Sequence, residues 1–280
     1  MIRRDTKRAA KFTAKSLFRL GVYGCWTLLF IPIQLLANTV HRGIAGHTLL
    51  VYWRVSCRII GFSIQRVGEI SHLRPTLFVS NHSSYLDIMV LGAVIPGCFV
   101  AKKEVADWPV FGPMSKLQRT VYVARRSRDV ADERDVLIGR LESRDNLILF
   151  PEGTSNDGIR VLRFRSSFLS VAEKPVNGSP LTVQPVGVAY THLNGLPLER
   201  RMRPFFAWYG NMEMAAHLLR VAGLGRTTVV VQFFPPVTIA AFESRKALSE
   251  YCRKVIASGV STALHGRPAD TNAGPQGTPT

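Results

Sequence analysis

The stretch that decides the fold is TLFVSNHSSYLDIMVL, residues 76–91. Its first five residues form a short apolar run of the kind found in buried strands. A polar turn that contains His82 follows, and from Tyr85 onward apolar residues recur at helical spacing. A buried strand that passes through a polar turn into a helix is half of an α/β unit, and α/β proteins place functional groups at strand ends.

The same alternation continues on both sides of this stretch. Strands are predicted at residues 63–67, 76–80, 98–101, 120–124, 146–150, 181–189 and 227–234, and helices at 85–94, 129–143, 159–172, 211–221 and 242–264. We therefore predict an α/β fold for residues 63–264, with a mostly parallel central sheet of about seven strands flanked by helices. Residues 265–280 are rich in Gly, Pro, Thr and Asn and are predicted to be a disordered tail.

Composition limits the class of protein. With 46% apolar and 20% charged residues, the chain is neither disordered nor a bundle made only of membrane helices. Its net charge of +17 predicts an anionic partner such as nucleic acid, anionic lipid or a phosphate-bearing substrate. The four cysteines are isolated in the sequence, which argues against a disulfide framework or a structural zinc site and favours a reducing compartment.

Much of the positive charge lies in residues 1–62, predicted to be a basic, membrane-associated helical segment. Residues 1–60 hold ten Lys or Arg residues and one acid, Asp5. Residues 20–40 then carry no charge, and as a helix they would cover about 30 Å, the thickness of one hydrocarbon core. This run suits a spanning helix or a half-inserted interfacial helix; a buried core helix and a cleaved signal peptide fit it less well.

Residues 44–62 predict a second helix, which is apolar on one face and carries Arg54 and Arg58. We expect it to lie on anionic lipid with Tyr52, Trp53, Ile59 and Ile60 available to the interface. The favoured interpretation is a two-helix membrane-docking unit, with the rest of the chain cytoplasmic; a true span is the alternative.

The first candidate motif is Asn81-His82 followed by Asp87. Five residues on one regular helix turn the side chains about 140° apart, so His82 and Asp87 meet only if His82 lies in the turn and Asp87 on the following helix. In that arrangement Asp87 holds one imidazole nitrogen and leaves the other free to accept a proton. The alternative is a capping Asn81 and a surface histidine.

The second candidate motif is Phe150-Pro151-Glu152-Gly153-Thr154, which ends the strand at 146–150. Pro and Gly predict a sharp turn, and Gly153 allows a ligand to approach the backbone. Glu152 and Thr154 offer an acceptor and a hydroxyl at the carboxyl end of a strand.

Together the motifs resemble those of the glycerolipid acyltransferase family, the 1-acylglycerol-3-phosphate acyltransferases (PlsC-like). The family's N-H-x-x-x-x-D and F-P-E-G-T patterns are matched by Asn81, His82 and Asp87 and by residues 150–154. A third block is matched loosely by Tyr122, Val123 and Arg125, and a fourth by residues 183–186. The sequence departs from the family's usual pattern at Arg119, where Gly is common, at Ala124, where an acid is common, and at Ser155, where Arg is common.

The resemblance implies direct transfer of an acyl group from acyl-CoA or acyl carrier protein, with no metal or prosthetic group. His82 would take the proton from an acceptor hydroxyl, and Asp87 would fix the tautomer and stabilise the imidazolium. Lys103 would stabilise the oxyanion, and Arg125 would bind the acceptor phosphate. Glu152, Gly153 and Thr154 would shape the glycerol pocket.

The expected acceptor is 1-acyl-sn-glycerol-3-phosphate, which would give phosphatidic acid; lyso-ornithine lipid is the alternative. We expect the protein at the cell inner membrane, with residues 63–264 as an acyltransferase domain on the cytoplasmic face of an anionic membrane surface. A lipase or thioesterase is disfavoured because the sequence has no G-x-S-x-G elbow. A non-catalytic membrane- or nucleic-acid-binding protein is the remaining alternative, and the absence of a stacking motif argues against nucleic acid as the partner.

Overall fold

The computed structural model describes residues 2–109, 111–123 and 130–267. Within them, eight strands form one sheet: β1 (Phe62–Val67), β2 (Thr76–Ser80), β3 (Cys98–Lys102), β4 (Val121–Val123), β5 (Leu147–Leu149), β6 (Thr182–Leu193), β7 (Leu196–Pro197) and β8 (Thr227–Phe233). The order is β1-β8-β6-β2-β5-β3-β4, with β7 paired to the end of β6. Strands β6, β2, β5, β3 and β4 are parallel, whereas β8 runs antiparallel to β6 and parallel to β1. The predicted α/β fold with a mostly parallel sheet is confirmed.

Seven α-helices are present in the described residues: α1 (Ile2–Val40), α2 (Arg42–Ile60), α3 (Leu86–Gly92), α4 (Phe111–Leu117), α5 (Val130–Glu142), α6 (Met214–Gly223) and α7 (Arg245–Leu264). Each face of the sheet has its own core. Leu86 and Leu91 of α3 pack with Tyr52 and Trp53 of α2 in one apolar cluster, and α5 and α7 supply Leu141 and Ile256 to the other. The sheet therefore lies between two layers of helices, which leaves the strand ends as the open edge of the domain.

The predicted α-helix at 159–172 is wrong. Residues 159–165 are irregular, and a 3₁₀ helix then covers Ser166–Glu173. The backbone N–H groups of Leu162 and Arg165 explain the difference, because they donate to Glu152 Oε2 and to the carbonyl of Pro151 rather than within a helix. This segment is thus tied to the turn that ends β5.

Arg119 adopts a left-handed backbone conformation with φ = 59°. Glycine adopts this conformation without steric cost, whereas a residue with a Cβ adopts it less readily. The Arg119 guanidinium donates to Asp145 Oδ2 at 2.7 Å. This ion pair stabilises the turn between α4 and β4.

The first helix continues through Pro32 and runs antiparallel to α2. Residues 12–40 are long and apolar enough to cross a membrane, and an 18-residue stretch within them has a mean hydropathy of 1.7. Much of this helix is exposed: Phe18, Leu28 and Leu36 each keep about two thirds or more of their surface in contact with solvent. The core-helix alternative therefore does not fit α1, and its outward face is available to lipid.

The second helix departs from expectation. Tyr52, Trp53 and Ile60 are buried in the core instead of facing lipid. Trp53 packs directly against Gly92 of α3. A Cβ added at Gly92 would overlap the Trp53 indole ring. Helix α2 is consequently part of the helical layer that covers the sheet. The boundary at residue 62 between a membrane-associated segment and an acyltransferase domain stays a prediction. The predicted tail, 265–280, lies outside the described residues from position 268 onward.

Candidate active site

His82 and Asp87 meet at the junction between β2 and α3. The strand ends at Ser80, α3 begins at Leu86, and His82 lies in the connection as the spacing required. His82 Nδ1 is 3.0 Å from Asp87 Oδ2, with the carboxylate fully buried and the imidazole 20% exposed. A carboxylate only accepts, so Nδ1 carries the proton and Nε2 keeps its lone pair. The pair has the geometry of a general base and its orienting carboxylate.

The Asp87 carboxylate is fixed by further donors from the protein. Its Oδ2 accepts from the backbone N–H groups of Ser83 and Ser84 at 2.7 and 2.9 Å, and its Oδ1 accepts from the Tyr190 hydroxyl at 3.0 Å. Burial raises the pKa of Tyr190 well above its ordinary value, and the nearby Asp87 carboxylate adds to the rise. The phenol therefore stays protonated and donates. Asp87 is therefore held in one orientation before any substrate binds.

The second motif touches the first. The ring of Phe150 stacks on the His82 imidazole with centroids 4.1 Å apart, which fixes the plane of the imidazole. Gly153 has a φ of 69°, and a Cβ there would lie 3.3 Å from the Phe168 ring and 3.5 Å from Arg165 Nε. The left-handed backbone conformation therefore favours glycine at this turn, and the Phe168 ring leaves little room for a side chain.

Glu152 holds the His82 loop rather than facing open solvent. One carboxylate oxygen accepts from the backbone N–H of His82 at 2.9 Å, and the other accepts from Asn156 Nδ2 at 2.6 Å and from the N–H of Leu162 at 3.2 Å. Burial raises the pKa of Glu152, and these three hydrogen bonds oppose the rise. Both oxygens are occupied by the protein's own donors, so Glu152 acts on the position of His82.

Two asparagines complete the support of the turn. Asn156 donates to the His82 carbonyl from both its backbone N–H and its side-chain amide, at 3.2 and 2.9 Å. Asn81 exchanges two hydrogen bonds with the backbone of Val188 on β6 and does not cap α3, so the capping alternative is wrong. The turn that carries His82 is thus tied to the segment after β5 and to the middle of β6.

The remaining predicted site residues are less closely engaged. Thr154 is exposed, and its hydroxyl has only a long contact of 3.4 Å to the Ser155 carbonyl. Lys103 is exposed at the start of the 3₁₀ helix Lys103–Asp107, directly after β3. Arg125 lies outside the described residues.

An aromatic surface borders the His82 turn. The backbone N–H of Trp208 donates to the Ser83 carbonyl at 2.9 Å, and the Trp208 ring contacts Tyr85 and Trp108 with centroid distances of 5.9 and 6.3 Å. Trp108 is 37% exposed, and Phe111 next to it is also exposed. This surface can receive an apolar chain beside the imidazole.

Three supporting residues were missed from the sequence: Tyr190, Asn156 and Arg165. The available signals were that Tyr190 directly follows the predicted apolar strand at 181–189 and that Asn156 follows Glu152 by four positions. Neither signal indicates a partner, because these residues contact segments that are distant in the sequence.

The His82–Asp87 pair lies at a strand end of an α/β sheet and has the geometry that activation of a hydroxyl requires, and the sequence has no G-x-S-x-G elbow. Residues 63–189 match the family model described as "Acyltransferase". The chain belongs to the PlsC-like acyltransferase family.

Curated relatives and a solved structure agree with this membership. A lyso-ornithine lipid O-acyltransferase from Brucella abortus is 38% identical, over 86% of this chain and 92% of its own length. A relative with the same name from Rhizobium meliloti is 34% identical, over 86% and 84%. A 1-acyl-sn-glycerol-3-phosphate acyltransferase from Neisseria gonorrhoeae is 30% identical, over 73% and 78%. The crystal structure of PlsC from Thermotoga maritima has the same fold, with a TM-score of 0.69, 21% identity and coverage of 94% of this chain and 100% of that one.

Proposed function

We propose that this acyltransferase moves a fatty acyl group from an acyl-CoA or acyl carrier protein thioester to the free hydroxyl of a lysolipid. The observation that carries the proposal is the His82–Asp87 pair, with Nδ1 protonated and hydrogen-bonded and Nε2 available. No nucleophilic serine or cysteine is required, because the acceptor hydroxyl itself is the nucleophile.

The reaction then proceeds by direct attack. His82 Nε2 takes the hydroxyl proton as the acceptor oxygen attacks the thioester carbonyl. The tetrahedral intermediate breaks its C–S bond, and the imidazolium returns the proton to the leaving thiolate. Asp87 stabilises the imidazolium throughout, and its buried hydrogen bonds prevent it from turning away.

Glu152 and Asn156 contribute by position. They hold the backbone of His82 from both its N–H and its carbonyl, so the imidazole does not have to be ordered when substrate arrives. Lys103 is proposed as a donor to the oxyanion, and Arg125 and Thr154 are proposed contacts to the acceptor headgroup. Arg165, which packs over Gly153, adds a cation at the turn and suits an acidic headgroup.

For the acceptor, we place lyso-ornithine lipid first and 1-acyl-sn-glycerol-3-phosphate second. The support is the higher identity and fuller coverage of the Brucella abortus relative named for the ornithine substrate, 38% over 92% of its length, against 30% over 78% for the Neisseria gonorrhoeae relative. The second candidate is kept because the motif set also matches enzymes named for the phosphate substrate.

We further propose that the protein docks on the inner membrane with its catalytic domain on the cytoplasmic face. The exposed apolar face of α1 and the basic residues of the N-terminal segment support this placement. A lysolipid acceptor then reaches His82 from the bilayer while the soluble thioester arrives from the cytoplasm.

The test is acyl transfer from radiolabelled palmitoyl-CoA and palmitoyl-acyl carrier protein to lyso-ornithine lipid, 1-acyl-sn-glycerol-3-phosphate and lysophosphatidylethanolamine. The proposal predicts labelled lipid product, fastest with lyso-ornithine lipid. Release of free palmitate without any labelled lipid would instead indicate a thioesterase. A faster reaction with 1-acyl-sn-glycerol-3-phosphate would reverse the order of the two acceptors.

A further inference from the structure

A cavity rich in arginine lies away from the catalytic turn. It is open to solvent, has a volume of about 750 Å³ and is bordered by α1, α2, β1, the residues that follow α3 and Arg226 before β8. Five of its lining residues are arginines, contributed by four separate segments: Arg19, Arg54, Arg58, Arg66 and Arg226. No acidic side chain lines it. Strand β1 is at the edge of the sheet, with β8 and β6 between it and the strand that leads to His82, so this cavity is separate from the active site.

The guanidinium groups of this cavity have no carboxylate partner among the described residues. Arg19 donates to the carbonyls of Ile60, Ala222 and Leu224, Arg54 to that of Ala93, and Arg226 to the Ser63 hydroxyl. Arg58 and Arg66 have no hydrogen-bond or ion-pair partner within the described part of the chain, and none of the five forms a salt bridge there.

Some arginines elsewhere in the fold are paired with acids. Arg119 contacts Asp145, and Arg253 contacts Glu250. Several cations gathered around one cavity repel one another unless an anion enters. Arginine N–H groups match the oxygens of a phosphate in pairs, so the chemistry of the cavity is that of a phosphate-binding site.

An apolar groove lies on the other flank of the same turn of α2. Val55 and Ile59 face α1 across it, and Leu17, Val22 and Leu29 supply the opposite wall. Val55 and Ile59 directly follow the cavity residues Arg54 and Arg58, and successive helical residues are about 100° apart around the axis. Cavity and groove therefore lie at the same height along α2, on adjacent faces of the helix.

We propose that the arginine cavity and the apolar groove together bind one anionic phospholipid of the bilayer. The phosphate enters the cavity among Arg54, Arg58 and Arg66, and one acyl chain lies in the groove against Val55 and Ile59. The groove identifies the phosphate source as a lipid, because it continues into the outward apolar face of α1. The inference deepens the proposed membrane docking and rests on it, while acyl transfer at His82 does not depend on it.

The test compares full-length wild-type protein with two double variants. Arg58→Gln/Arg66→Gln removes the two unpartnered cavity charges, and Arg200→Gln/Arg267→Gln removes two exposed arginines outside it, with the same change in net charge. Binding is measured by calorimetry in detergent-free buffer with dihexanoyl-phosphatidylglycerol, with dihexanoyl-phosphatidylcholine and with inorganic phosphate. Circular dichroism checks that all three proteins are folded.

The expected result is saturable binding of one phosphatidylglycerol per chain, weakened at least tenfold in Arg58→Gln/Arg66→Gln and unchanged in the control. Equal weakening in both variants would show attraction by net charge only and would overturn the site. Equal affinity for phosphatidylglycerol and inorganic phosphate would overturn the lipid assignment, as would equal affinity for the two lipids.

Acyl transfer in detergent micelles separates this inference from the proposed function. Arg58→Gln/Arg66→Gln is expected to retain the wild-type rate and KM for thioester and acceptor. A raised KM for the thioester would show that the cavity binds the acyl donor and would overturn the lipid site. Wild-type protein that binds the lipid yet transfers no acyl group would contradict the proposed reaction and leave the lipid site supported.

Discussion

Replacing Asp87 with Asn isolates the charge of the carboxylate from its geometry. The backbone N–H groups of Ser83 and Ser84 both point at Oδ2, so an amide must place its oxygen there to avoid facing two donors. Its NH₂ group then points at the Tyr190 hydroxyl, which can turn and accept. The oxygen at Oδ2 still accepts from His82 Nδ1, so Asp87→Asn keeps the imidazole tautomer and orientation while removing the negative charge.

The size of the effect follows from the distance. Two unit charges about 4 Å apart interact by about 4 kcal/mol at an effective dielectric constant of about 20. The imidazolium exists only after proton transfer, so this stabilisation belongs to the transition state and not to the free enzyme. At about 1.4 kcal/mol per decade of rate, Asp87→Asn should lower kcat by about a thousandfold.

The measurement is the initial rate of acyl transfer at saturating acceptor, together with a thermal unfolding curve. The predicted outcome is a thousandfold loss of kcat with little change in KM. A kcat within tenfold of wild type, in folded protein, would refute the electrostatic role of Asp87. An equal rate loss accompanied by loss of cooperative unfolding would mean that the carboxylate serves stability instead.

Three further substitutions test separate parts of the structure. Tyr190→Phe removes a hydrogen bond to a buried carboxylate and should cost about 1.5–3 kcal/mol in the free energy of unfolding, measured by urea titration; an unchanged midpoint would contradict the bond. Trp53→Ala should cost about 3–5 kcal/mol by the same measurement, because Trp53 is buried against α3, and a cost below 1 kcal/mol would place α2 outside the core. Leu28→Glu/Leu29→Glu changes two exposed residues of α1 and should release folded protein from vesicles in a flotation assay, whereas persistent flotation would show that α1 is not the anchor.

The sequence alone predicts the parts of the site that are formed by residues close to one another in the chain. The strand at residues 76–80, the turn and the helix that follows place His82 and Asp87 on either side of one junction, so their contact is a local consequence of the chain. The α/β class follows for the same reason, from the alternation of apolar strands and helices.

Sequence patterns failed where contacts between distant segments decide the outcome. Residues 159–165 have a helical pattern, but their N–H groups bond to the turn after β5, and nothing local indicates that competition. An amphipathic helix with aromatic residues suits lipid and protein equally well, so the sequence of α2 did not reveal that Tyr52 and Trp53 face the core. Burial of α2 also means that removing residues 1–62 would expose the core, so point substitutions on α1 are the better test of membrane docking.

The interpretation of Glu152 changed most with the structure. Its place at a strand end suggested contact with the acceptor, yet three protein donors occupy its carboxylate and link it to His82. The F-P-E-G-T turn therefore helps to position His82 through hydrogen bonds that cannot be read from the sequence motif.

The most direct test of the account is the turnover of His82→Ala, measured by transfer of labelled palmitate from its thioester to the lysolipid that wild-type protein prefers. His82 is partly exposed and its backbone is held by Glu152 and Asn156, so the variant should fold and bind acceptor normally. The account predicts a loss of kcat of at least about a thousandfold, as expected for removal of a general base. A folded His82→Ala protein that transfers palmitate at close to the wild-type rate would contradict it.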